Sequence, residues 1–162
     1  MCNKKGFTLI ELLTVAIIIS ILTAIAVPQY RSTIQRAEAT EALINLRNVF
    51  ESAMRYKSQN STTPQQVSQL DISFFDSLDQ SGKVAYIGNF RYSFESSYID
   101  ACRLNPDNTY NTYCFRIYYN HDTYGRGALR CNYSTEKYSQ ICSSFCNTNR
   151  DSNPCWVDVV SD

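Results

Sequence analysis

The chain has 162 residues, with 15 Lys and Arg against 15 Asp and Glu, so its formal charge is zero. That balance provides no basic field to draw in phosphates, and a single histidine leaves little material for acid–base catalysis or a metal centre. The first element runs from Phe7 to Val27, 21 residues in which Glu11 is the only formal charge. As a helix it spans roughly 31 Å, about the thickness of a bilayer's hydrocarbon core. Lys4 and Lys5 precede it and stay cytoplasmic under the positive-inside rule, which puts everything after Pro28 outside. A carboxylate inside such a segment is costly unless it has a partner. A secretory signal peptide with a small-x-small site at Ala24-Ile25-Ala26 is one account. The apolar run is longer than the usual h-region, however, and Glu11 gives a signal peptide nothing in return. A plain single-pass anchor leaves Glu11 equally unexplained.

Pro28 removes one helical hydrogen bond and is expected to bend the helix near residues 24–28. Beyond it the pattern stays helical but becomes amphipathic. Ile34, Ala39, Ala42, Leu43, Leu46, Val49, Phe50 and Ala53 recur at spacings of three and four and trace one apolar stripe. Arg47–Glu51 and Glu51–Arg55 are i,i+4 pairs on the opposite face. The helix is expected to end near Tyr56-Lys57, before the polar cluster at 58–64. Unbroken from Phe7 to Lys57, it would have 51 residues and a length of roughly 75 Å. Its first half suits a membrane or a helical bundle, and its second half must lie against a soluble domain.

Residues 58–162 supply that domain. A polar loop is expected over 58–82, with a short helix around 74–78. Strand signals follow at 84–87, 90–94, 113–119 and 128–133, all rich in aromatic or β-branched residues. Turn signals separate them at Gly88-Asn89, at Asn105-Pro106-Asp107-Asn108 and at Tyr124-Gly125-Arg126-Gly127. The tail after Tyr133 is polar and cysteine-rich, with little periodicity. An antiparallel sheet packed on the amphipathic half-helix satisfies these elements, giving an α+β fold. About 105 residues bury only a modest core, so a covalent staple is expected.

Of seven cysteines, Cys2 lies ahead of the apolar segment and six fall in the domain, an even number that reads as three disulfides. Nearest-neighbour pairing is the expectation: Cys102–Cys114, Cys131–Cys142 and Cys146–Cys155. Residues 130–140 read as a strand leaving the sheet and folding back through a polar loop. A metal site from Cys142-x3-Cys146 with Cys131 or Cys155 competes, although the spacing is not a standard knuckle and His121 is distant. Catalysis has little support. His121-Asp122 is the only His–acid neighbour, in a turn-like stretch without a nucleophile motif, and reads as a solvated loop. Ten of the 12 tyrosines fall after residue 80, interleaved with Arg91, Arg103, Arg116, Arg126 and Arg130, a mix able to stack on bases. Residues 83–162 nevertheless hold eight charges of each sign, which opposes a nucleic-acid role. The tyrosines are expected to fill the thin core and contacts between subunits.

The stretch Lys4-Lys5-Gly6-Phe7-Thr8-Leu9-Ile10-Glu11-Leu12 resembles the N-terminus of the type IV prepilins, a family that includes the pseudopilins of type II secretion. The resemblance is specific over Lys4 to about Tyr30 and weak beyond. It implies a leader, residues 1–6, removed by prepilin peptidase between Gly6 and Phe7, with Phe7 then N-methylated. A membrane and assembly helix at 7–28, its amphipathic continuation at 29–57 and a pilin head at 58–162 follow. Without Lys4 and Lys5, 13 basic residues face 15 acidic ones, a mature net charge near −2.

The resemblance also implies that Glu11 meets the positively charged Phe7 amine of a neighbouring subunit. Opposite charges attract strongly in an apolar bundle, where either alone is penalised, so the pair acts as a register pin. Many relatives carry a mid-helix glycine where this chain has Ser20, which bears on helix loosening between Ser20 and Pro28. Major pseudopilins carry a calcium site near the C-terminus. Asp151-Ser152-Asn153 and Asp158 here lack the D-x-[DN]-x-[DN]-G pattern and read as turn residues. The implied role is a structural subunit of a type IV pilus, not an enzyme and without cofactor. Its implied partners are further copies of itself, the peptidase, the inner-membrane assembly machinery and minor pilins. It would sit in the inner membrane with a periplasmic head, then in an extracellular filament. A secretion pseudopilin, or a minor tip pilin binding a surface or DNA, are the alternatives; some tip subunits lack the glutamate.

Overall fold

The computed structural model describes residues 6–105, 111–123, 125–146 and 154–157. Expectations that rest on Cys2, Lys4 and Lys5, on residues 106–108, on Tyr124, or on Asp151, Ser152, Asn153 and Asp158 lie outside the described residues. The chain divides into two compact units, one ending at Glu38 and one beginning at Ala39. Helix α1 (Leu9–Asn60) contributes to both, and Pro28 lies inside it without ending it.

In the second unit seven strands form one antiparallel sheet in sequential order, a meander. They are β1 (Ser77–Leu78), β2 (Val84–Ile87), β3 (Phe90–Phe94), β4 (Tyr98–Leu104), β5 (Asn111–Tyr118), β6 (Leu129–Tyr133) and β7 (Cys155–Val157). Alternation decides which residues face inward. Phe90, Tyr92 and Phe94 on β3, Ile99 and Ala101 on β4, Tyr113, Phe115 and Ile117 on β5, and Leu129 and Cys131 on β6 are all buried. They meet Ala39, Ala42, Leu46, Val49, Phe50 and Ala53, the buried stripe of α1. The alanines bring the helix axis close to the sheet, near enough for the Tyr92 hydroxyl to donate to the Ala42 carbonyl at 3.4 Å. Each large apolar side chain buried here contributes about 1.5–3 kcal/mol.

The helix continues three residues past the expected stop at Lys57. The Ser58 hydroxyl and the Asn60 amide donate back to the carbonyls of Arg55 and Tyr56 at 2.7 and 3.0 Å, and Ser61, at φ 57°, caps the end. The expected helix at 74–78 is absent. Phe74 and Phe75 pack their rings 5.1 Å apart, and Ser77–Leu78 pairs with β2 as the edge strand β1. Strand β4 was not anticipated, and neither were helix α2 (Ser139–Phe145) and β7 in the cysteine-rich tail. Arg55, expected to pair with Glu51, forms a two-pronged pair with Asp71, at 2.7 Å for each prong, and Glu51 adds to the charge attraction it feels.

Gly88 takes φ +52° in the two-residue β2–β3 turn, a backbone that favours glycine. Gly127, at φ +76°, also takes a backbone that favours glycine, beside the Phe50 ring.

Three disulfides are present: Cys102–Cys114 between β4 and β5, Cys131–Cys142 between β6 and α2, and Cys146–Cys155 between the end of α2 and β7. All six domain cysteines are thereby consumed, leaving none of them as a thiolate for metal. Among the described residues no group of three or more His, Cys, Asp or Glu gathers as a metal-ligand set.

Candidate assembly site at the start of the long helix

The first unit holds one helical segment whose apolar side chains face outward. Phe7, Leu9 and Ile10 are 78%, 80% and 70% exposed, and exposure continues through Leu22 and Ile25 at 61% each. An 18-residue window of α1 reaches a mean hydropathy of 2.6 with none of it buried, so the helix is long and apolar enough to cross a membrane. An exposed apolar surface of this extent marks contact with lipid or protein.

The polar groups in this segment are arranged to suit an apolar surrounding. Thr14 donates to the Ile10 carbonyl at 2.7 Å, Ser20 to Ala16 at 2.7 Å and Thr23 to Ile19 at 2.8 Å. Each hydroxyl is satisfied by its own helix, as a side chain in lipid or in a bundle requires. Ser20 is accommodated this way with no break in α1.

Glu11 is held by the helix start itself. Its Oε2 accepts the Thr8 backbone N–H at 2.8 Å and the Thr8 hydroxyl at 2.6 Å. In return the Glu11 N–H approaches the Thr8 Oγ1 at 3.4 Å. This is a reciprocal capping box: Thr8 caps α1 and Glu11 occupies the third helical position. The carboxylate thus sits in the first turn, where the helix dipole favours negative charge. Both Thr8 bonds go to one oxygen, so Oε1 remains for a further donor. Pattern reading of the apolar run missed this box, although the T-x-x-E spacing Thr8-Leu9-Ile10-Glu11 announces it. The structure bonds Thr8 to Glu11; Gly6 and Phe7 directly precede this turn, and Pro28 lies elsewhere on the same helix.

His121 is not the solvated loop residue expected. It closes a bridge with Gly125, and its ring packs edge-on against Tyr118 and Trp156 with centroids 4.8 and 4.9 Å apart.

The helix start is capped and apolar outward, and the second unit is a disulfide-bonded antiparallel sheet; the architecture is the α+β pilin fold. The family model described as the prokaryotic N-terminal methylation motif matches residues 1–27. A fimbrial protein of Pseudomonas aeruginosa is 45% identical over 87 residues, covering 49% of this chain and 56% of the relative. The type IV major fimbrial protein FimA of Dichelobacter nodosus is 52% identical over 40 residues, 25% of this chain and 26% of its own. The type IV major pilin protein PilE1 of Neisseria gonorrhoeae is 49% identical over 41 residues, 25% of each chain. The chain therefore spans about half the length of the first of these curated relatives and a quarter of the others. Over its N-terminal part the chain is similar to type IV fimbrial and pilin proteins, and it carries the prokaryotic N-terminal methylation motif.

Proposed function

We infer that this protein is a structural subunit of a type IV pilus, assembled through residues 7–28 and without enzymatic activity. One observation carries the reading: a fully exposed apolar helix whose sole charge is fixed at its N-terminus with one oxygen unengaged. Prepilin peptidase cleaves between Gly6 and Phe7, and the methylated Phe7 amine of one copy meets Glu11 Oε1 of the next. Before assembly the helix spans the inner membrane with the head in the periplasm; afterwards it lies in an extracellular filament.

Two measurements test this. Mass spectrometry of the mature N-terminus is expected to find methylated Phe7; a chain starting at Val27 means an ordinary signal peptide and ends the reading. Glu11→Ala is expected to leave the protein inserted and folded while sheared filaments fall sharply. Abundant normal filaments from that variant would show the charge pair to be dispensable. Among the roles open to a pilin, Glu11 favours the shaft over the tip, and the protein's abundance in sheared filaments separates the two.

A further inference from the structure

Tyr30 is the first aromatic residue after Phe7, and Arg31 is the first basic residue after Lys5. Both directly follow the apolar run on α1, where Tyr30 is 67% exposed and Arg31 is exposed beside it. Val27, Tyr30, Arg31 and Ile34 fall at i, i+3, i+4 and i+7, so they share one face of the helix. Three and four residues to either side of Arg31 stand Pro28, Val27, Ile34 and Gln35, none of them charged. Among the described residues the Arg31 side chain makes no hydrogen bond or ion pair. The next residues differ: Ser32 and Thr33 each donate a hydroxyl to the Gln29 carbonyl, at 3.2 and 3.0 Å. A guanidinium fork is thus presented outward with its donors unspent.

Length sets the depth of these two residues. With residues 7–27 filling a hydrocarbon core about 30 Å thick, Tyr30 lies roughly 4.5 Å and Arg31 roughly 6 Å past its far boundary. The headgroup layer of one leaflet is about 5–7 Å deep, so Arg31 stands at phosphate level. We propose that Tyr30 and Arg31 bind phospholipid headgroups of the periplasmic leaflet and hold the helix at that depth. The proposal rests on the reading that α1 spans the inner membrane before assembly. Arg31 forks onto a lipid phosphate, whose oxygens match its paired donors. The Tyr30 ring lies at the edge of the acyl chains with its hydroxyl toward water, the place such a ring prefers. A second copy at the same depth offers Arg31 nothing comparable. The nearest carboxylates along α1 are Glu38 and Glu11, roughly 10 and 30 Å away along the axis. Loss of Lys4 and Lys5 with the leader leaves Arg31 as the helix's basic side chain at headgroup level, so the mature subunit is held from the periplasmic side.

The full-length chain with Cys2→Ser is reconstituted into vesicles of phosphatidylcholine and phosphatidylglycerol and treated with a membrane-impermeant maleimide. Single cysteines report depth: Val15→Cys at mid-helix, Val27→Cys at the boundary and Ile34→Cys beyond it. Ile34→Cys is expected to label readily, Val27→Cys slowly and Val15→Cys hardly at all. Adding Tyr30→Ala with Arg31→Gln is expected to raise the labelling rate of Val27→Cys severalfold while Val15→Cys stays protected. Arg31→Lys, which keeps the charge but loses the fork, is expected to raise it less, and Arg47→Gln to leave it unchanged. An unchanged rate at Val27→Cys in the Tyr30→Ala, Arg31→Gln background overturns the proposal and leaves the membrane reading standing. Protection of Val27→Cys that disappears when the protein is diluted in lipid assigns this face to a second copy and overturns it too. Labelling of Val15→Cys as fast as Ile34→Cys shows a helix outside the bilayer and overturns the membrane reading itself.

Discussion

Asp100 sits in the middle of β4 and is only 8% exposed. A charged residue there is tolerated because Arg116 on the neighbouring strand meets it in register and bonds both carboxylate oxygens. Removing one partner strands the other in a poorly solvated site, so Asp100→Asn is expected to cost about 2 kcal/mol in a denaturant melt. Replacing both, as Asp100→Leu with Arg116→Met, is expected to cost less than the worse of the two single changes. If the double variant is as unstable as the sum of the singles, the two residues stabilise the sheet separately and the pairing is incidental. The same residue helps explain why β4 is hard to read in the sequence, since Asp is disfavoured in strands and its compensating partner lies 16 positions away.

At the level of elements, a polar network ties the segment after α1 back onto the helix. Ser52, 1% exposed within the apolar stripe, donates its hydroxyl to Asp71 and accepts the Asp71 N–H at 3.1 Å, while Arg55 holds the carboxylate from solvent. Gln69 adds a bond of 2.9 Å to the Tyr56 hydroxyl. The Arg55 guanidinium and then the Ser52 hydroxyl hold the Asp71 carboxyl well below the usual carboxylate range. A folded-state pKa lowered below the unfolded value near 4 stabilises the protein above that value, and the contribution disappears as pH falls through the folded pKa. Asp71→Asn is therefore expected to lower the melting temperature at pH 7 but to narrow its gap from wild type at pH 3 and below. A gap independent of pH would mean that the carboxylate charge does not hold the loop.

Long, strongly patterned elements were legible: the stripe of α1 and the alternation in β2, β3, β5 and β6. The docked segment was not, because Ser52 and Asp71 recognise each other across 19 positions. Strands of two and three residues, β1 and β7, are too short to show a period. At the helix start Glu11 is legible as the one charge in the apolar run, whereas the capping role of Thr8 lay in a four-residue spacing overshadowed by that run.

The second unit packs its helices against one face of its sheet, so its apolar core is thin for its length. The disulfides compensate where noncovalent order is weakest. Cys131–Cys142 and Cys146–Cys155 hold α2 and the edge strand β7, and all four of these cysteines belong to the buried core cluster. The bridges close loops of only 11 and 9 residues, for which the chain-entropy model gives about 3 kcal/mol each. A domain of this size has a total stability of only about 5–15 kcal/mol, so losing one bridge removes a large share. Cys131→Ser and Cys142→Ser are expected to lower the level of folded protein equally, and the double variant to be no worse than either single, because all three lack the same bond. Non-reducing peptide mapping of the wild type is expected to recover the 131–142 fragment pair and no free thiol among the six. A double variant markedly worse than both singles would show that each sulfur packs independently in the core and that the bond contributes little. Thiols that become protected only on adding zinc would replace the disulfide account altogether.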